Sequence, residues 1–211
     1  MSILKNSGFS LVEVLVTIVI LMVGLLGLAG LQGRALTAQM ESYQRSQALI
    51  LVRDMGDRIN ANRLYAAQYV TTNVTQRGTG FNGSAVEDCA GLGGSALDLC
   101  EWHNALLGAA EKQNTANVGA MIGARGCIYQ VTAPKSVVVN IIPATAGSPA
   151  ITEYAPSEYV VAVAWQGFNR TVALTGTAAD CGTGQYGDDA NRRVVTVPIS
   201  ISHLGFETDA P

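Results

Sequence analysis

The sequence predicts an α+β fold: a long N-terminal helix, half transmembrane and half amphipathic, packed on an antiparallel β-sheet head that carries disulfides. Three observations predict it. Residues 9–31, FSLVEVLVTIVILMVGLLGLAGL, form an apolar run with a single charge, Glu13. From Leu36 to Ile59 apolar side chains recur mostly at steps of three, four or seven, the period of a helix with one buried face. From Cys127 onward come runs rich in Val, Ile and Thr, several of them alternating, which is the mark of strands.

The apolar run spans about 35 Å as a helix at 1.5 Å per residue, enough to cross a bilayer. Lys5 precedes it and Arg34 follows it. A secretory signal peptide has a shorter apolar core and is cut at small residues after that core. This run is too long for one, and Ala29-Gly30-Leu31 and Gly33-Arg34-Ala35 are weak sites. A plain anchor also has no use for Glu13, since a carboxylate costs on the order of 3 kcal/mol at the middle of a membrane. Glycines at 24, 27 and 30 fall near one helix face. Each costs about 1 kcal/mol relative to Ala, and small residues permit close approach of another helix.

Gly8-Phe9-Ser10-Leu11-Val12-Glu13, with the basic leader and the apolar run, resembles the class III signal of type IV prepilins. The resemblance implies a leader over residues 1–8, cleavage between Gly8 and Phe9 by prepilin peptidase, and N-methylation of Phe9. It implies that Glu13 is an assembly contact, its carboxylate paired in lipid with the amine of a neighbouring subunit's first residue. In low dielectric an unpaired charge is costly, so such a pair can set the axial register of subunits. Major pilins commonly carry a proline near the glycines, and this sequence has none there.

The helix is expected to continue unbroken to about residue 64, since the first proline after it is Pro134. Residues 9–31 are its membrane and assembly part, and 32–66 its periplasmic continuation. Glu41 with Arg45, and Asp54 with Arg58, sit at i,i+4 spacing, where opposite charges support a helix. The head comprises residues 67–211. Residues 67–94, rich in Thr, Asn, Gly and Gln, read as a long loop with one short strand. Ser95-Ala96-Leu97-Asp98 looks like the start of a helix near 96–110. Trp102 reads as core. Strands are expected over Cys127–Thr132, Ser136–Ile142, Glu158–Trp165, Arg170–Leu174 and Arg193–Ser202, with a hairpin turn at Asn169. A sheet on the helix is the natural two-layer solution.

Within that class the resemblance narrows. Arg53–Ile59, Asn60–Tyr65, the run Asp98-Leu99-Cys100-Glu101-Trp102 and the Val-rich strand ending at Trp165 are similar to PilV-type minor pilins. This implies a subunit that acts with the major pilin and other minor pilins in assembly or priming, with effects on adhesion or twitching motility. The implied location is the bacterial inner membrane, single-pass, with the head in the periplasm, and the pilus after assembly.

Four cysteines, Cys89, Cys100, Cys127 and Cys181, lack zinc-site spacing with His103 and His203. An exported chain with an even count is expected to form disulfides. Cys89–Cys100 and Cys127–Cys181 are the favoured pairs among three pairings, and the other two stay open. Net charge is −3 with 13 Lys+Arg, which offers no basic face for nucleic acid. No metal or cofactor is expected, and no nucleophile constellation accompanies either histidine, so no enzyme is expected. Asp180, Asp188 and Asp189 in a Gly-rich loop are set down as a solvated turn, with calcium the alternative. The competing functions are a pseudopilin of a type II secretion system, with the same N-terminal physics, and a membrane-tethered hydrolase, which no constellation supports.

Overall fold

The computed structural model describes residues 8–71, 75–109, 112–114, 116–117, 121–132, 136–139, 151–154, 156–172, 175–176 and 180–202. The architecture is α+β, with one long N-terminal helix, an antiparallel four-stranded sheet and two disulfides. The chain divides into two compact units, residues 1–42 and 43–211.

Helix α1 runs Leu11–Ala61 without a break. It starts where the Ser10 carbonyl accepts from the amides of Glu13 and Val14. Its part in the first unit exposes nearly every side chain, Leu11 to Leu31 included. So long an exposed apolar surface is not stable in water, and by length and composition α1 can cross a membrane. In the second unit the same helix buries Gln44, Ala48, Val52, Met55, Gly56 and Ile59, a stripe at helical spacing. The helix was expected to reach residue 64. It ends at Ala61, and a 3-10 turn over Arg63–Tyr69 follows, kinked at Tyr65.

Strand β1 (Arg77–Gly78) is the short strand expected in the 67–94 segment. Helix α2 spans Gly94–Leu106. Its expected cap does not form. Gly93 occupies the N-cap position, and the Ser95 hydroxyl donates to Gln68 Oε1 at 2.8 Å. The sheet then uses β4 (Arg125–Thr132), β7 (Ser157–Gln166) and β8 (Arg192–Ile201), in the order β1-β4-β7-β8, all antiparallel. Two small hairpins stand apart: β2 (Lys112–Gln113) with β3 (Ala116–Asn117), and β5 (Ser136–Val139) with β6 (Ile151–Tyr154). The rest of the expected Ser136–Ile142 strand lies outside the described residues.

Central β7 is buried along nearly its whole length because both of its faces are covered. Tyr159, Val161, Val163 and Trp165 face the main core, with Val52, Met55 and Ile59 of α1, Trp102 of α2, and Ile199 and Ile201 of β8. Ala162 and Ala164 face a second core made by Cys127, Cys181 and Tyr186. The second core is roofed by the β7–β8 connection, and that connection corrects one expectation. Arg170–Val172 is not a strand, and Asn169 does not turn a hairpin. The described residues of this connection instead make a long return, closed by bonds from the Thr171 amide to the Ala190 carbonyl at 2.8 Å and from Arg193 to Thr171 Oγ1 at 2.8 Å.

Both disulfides are formed: Cys89–Cys100, tying the loop to α2, and Cys127–Cys181, tying β4 to the long return. In the chain-entropy model they contribute about 3 and about 4 kcal/mol. Replacing both Cys127 and Cys181 with alanine is therefore expected to lower head stability by about 4 kcal/mol, read as a lower denaturant midpoint.

Candidate functional site

The candidate site is the start of α1. Gly8, Phe9 and Ser10 precede the helix without regular structure, so the Gly8–Phe9 peptide is extended from α1 and not wound into it. Phe9 is 85 % exposed and a Cβ at Gly8 would meet nothing within 4 Å, which leaves the junction open to an enzyme. Glu13 lies in the first turn of α1, where a carboxylate complements the helix dipole. One turn on, the Thr17 hydroxyl donates to the Val14 carbonyl at 2.8 Å, and Thr37 does the same to Gly33 at 3.1 Å. These hydroxyls are satisfied within the helix. Glu13 is the one acidic side chain of the apolar run, and its chemistry calls for a cationic partner in lipid. Among the described residues, Cβ atoms at Gly24, Gly27 and Gly30 would also meet nothing within 4 Å.

A second polar cluster fastens α2 to the distal part of α1. Arg58 meets Asp54 Oδ2 at 3.0 Å, Asp98 Oδ1 at 3.1 Å and Glu101 Oε2 at 2.6 Å. Burial opposes the Arg58 charge, but Glu101, Asp54 and Asp98 outweigh that and raise its pKa further. The Tyr69 hydroxyl donates to Asp98 Oδ2 and accepts from Asn62 Nδ2 at 3.0 Å. Trp102 is fully buried, as its core assignment requires, and donates from Nε1 to the Leu51 carbonyl at 2.9 Å. Sequence spacing shows the Asp54–Arg58 pair, but Asp98 and Glu101 join it from 40 and 43 residues away. Arg58→Ala leaves half-buried Asp98 and the more exposed Asp54 and Glu101 without their shared cation. It is expected to cost about 2 kcal/mol, read by urea unfolding.

Burial and the Asp98 carboxylate push the Tyr69 phenol up to about 12 from an ordinary 10.0. Burial also raises Tyr129, Tyr159 and Tyr186. In the unfolded chain these phenols ionise near 10, so the stabilisation is complete below that pH and is lost as pH rises through the raised folded values, about 12 for Tyr69. Head stability is expected to fall steeply between pH 10 and 12, and Tyr69→Phe to flatten the fall, in urea titrations at each pH.

His103 is fully buried; its Nδ1 accepts from the Gly78 amide at 2.9 Å and its Nε2 lies 2.8 Å from the Ala85 carbonyl, an arrangement that fixes the Nε2–H tautomer. It fastens the loop to α2. His203 lies outside the described residues. Asp188 accepts from the Ala190 amide and pairs with Arg170; Asp189 accepts from the Gly184 amide and faces Arg192. Both carboxylates are therefore engaged by arginines and the loop's own amides. Among the described residues no group of three or more His, Cys, Asp or Glu side chains could hold a metal.

Residues 3–29 match the model of the prokaryotic N-terminal methylation motif, and residues 30–101 match the family model described as Type IV pilin Tt1218. Neither curated proteins nor solved structures show a significant match. The two matched segments adjoin and end within α2, so they cover the junction, α1 and the Arg58 cluster. The motif implies processing by a prepilin peptidase. The chain is thus similar to prepilins at its N-terminus, over residues 3–29, and to type IV pilins over residues 30–101.

Proposed function

We propose that the chain is a PilV-type minor pilin that supports assembly or priming of a type IV pilus, with effects on adhesion or twitching motility. The leader is residues 1–8, Phe9 becomes the methylated N-terminus, and the mature protein waits in the inner membrane with its head in the periplasm. It then joins the pilus alongside the major pilin and other minor pilins. The observation that carries this reading is the convergence of the PilV-like segments. Arg58, from the Arg53–Ile59 segment, binds Asp98 and Glu101 of the Asp98–Trp102 run, and Asn62 of the next segment meets Tyr69 in the same cluster. These contacts place residues of the three segments in one polar cluster.

The head's role is non-enzymatic, consistent with the pilin match. Deleting the gene from its host and restoring it tests the proposal. Loss and recovery of surface pili or twitching is the expected result. Intact pili with loss of exoprotein secretion would overturn it in favour of a type II secretion pseudopilin.

A further inference from the structure

We propose that the free edge of β8, with the cleft beside it, docks an extended strand from a neighbouring subunit of the same filament. This rests on the pilus-subunit reading above. Strand β8 has ten residues and, among the described residues, pairs with β7 on one side only. The opposite edge of the sheet is β1, of two residues. The Gly167 amide donates to the Asn191 carbonyl at 2.8 Å, and with the β7–β8 register this sets the alternation. Odd-numbered residues of β8 exchange hydrogen bonds with β7. Val194, Thr196, Pro198 and Ser200 turn their backbone groups to the open edge. Pro198 fits that set, since its missing N–H costs β7 nothing. Thr196, Pro198 and Ser200 are exposed.

A cleft of about 270 Å³ runs beside this edge, lined by Arg53, Gly56, Asp57 and Asn60 of α1 and by Val197–Ser200. Gly56 brings the helix close: a Cβ there would stand 3.5 Å from Ile199 Cδ1. Arg53 and Asp57 are exposed, one helical turn apart, and among the described residues neither forms an ion pair. Their neighbours Asp54 and Arg58 do pair. A strand added to β8 would turn alternate side chains toward α1, about 7 Å apart. That is near the ~5.4 Å between successive helical turns. The charge pattern therefore selects a strand with an acidic and a basic residue two positions apart, the acid for Arg53 and the base for Asp57. A second β8 is a poor occupant, because two-fold pairing about Pro198 sets proline against proline and forfeits the central bonds.

The test places a photo-crosslinking residue at Thr196 in the full-length chain, in the host that builds the filament. The result expected is an adduct with another filament subunit. Ser200→Pro, which removes one outward amide, and Arg53→Glu, a surface change that leaves the core intact, should each lower its yield about tenfold. An adduct unmoved by both variants, an adduct with a second copy of the chain, or no adduct from a chain present in purified filaments would each overturn the docking strip. A chain absent from the filaments would overturn the pilus-subunit reading itself, and the strip with it.

Discussion

Replacing Gly126 with valine is expected to abolish the folded head. Gly126 lies in β4 under α2, and a Cβ built there would stand 2.3 Å from Cη2 of Trp102 and 2.6 Å from Cδ1 of Leu106. Neither neighbour can retreat cheaply. Trp102 is fully buried and held by its bond to the Leu51 carbonyl, and Leu106 is buried in the same core. Overpacking by a methylene or two commonly costs about 1–3 kcal/mol. Here three carbons enter space already filled by a rigid ring, so about 5 kcal/mol or more is expected, comparable to the whole stability of a small domain. Two routes would show it: loss of the cooperative urea transition, and rapid proteolysis of the head in membranes. A variant with wild-type protease resistance would show that α2 does not pack on β4 as described. The Arg58→Ala and Cys127/Cys181 changes, at about 2 and about 4 kcal/mol, should leave a folded head at 25 °C.

The second large effect is on assembly and leaves folding untouched. Glu13→Ala is expected to be cleaved normally, since the junction at Gly8–Phe9 lies ahead of α1 and open to an enzyme. Incorporation into filaments should fall at least about tenfold. A charge pair in lipid is among the few directional contacts an apolar helix can make. Without it, axial register rests on side-chain packing alone. Glu13→Gln should behave nearly as badly, because the amide keeps the shape and hydrogen bonding but drops the charge. Quantitative immunoblotting of purified pili against whole membranes reads the ratio. Normal incorporation of both variants would remove charge pairing from the account.

The pattern of what could be read from the sequence follows from range. The apolar run, the stripe from Ala48 to Ile59, and strands β4, β7 and β8 announce themselves through local period, and they are where that period puts them within a few residues. The Cys89–Cys100 and Cys127–Cys181 pairs joined segments that chain order already made plausible neighbours. Where local pattern misleads, a specific long-range contact is the cause. Arg170–Leu174 has the composition of a strand, yet Arg193 draws the Asn169 carbonyl and the Thr171 hydroxyl into a return loop. Ser95 has the spacing of a cap, yet its hydroxyl goes to Gln68. The α2 end of the Arg58 cluster and the demand for glycine at position 126 had no local signal at all. Each depends on residues 20 or more positions away.

At the candidate site the reverse holds. The Gly8-Phe9 junction, Glu13 and the apolar run are a purely local signal, complete within residues 1–31. The fold adds a junction outside regular structure, an unbroken helix through Gly24, Gly27 and Gly30, and a second unit whose buried helix stripe begins at Gln44.

The most direct test of that central claim is intact mass and peptide sequencing of the protein recovered from membranes. The expected product is a mature chain beginning at Phe9, heavier than the unmodified peptide by one methyl group on its terminal amine. A chain that retains residues 1–8, or one that begins near residues 30–36 as after signal-peptide cleavage, would contradict it.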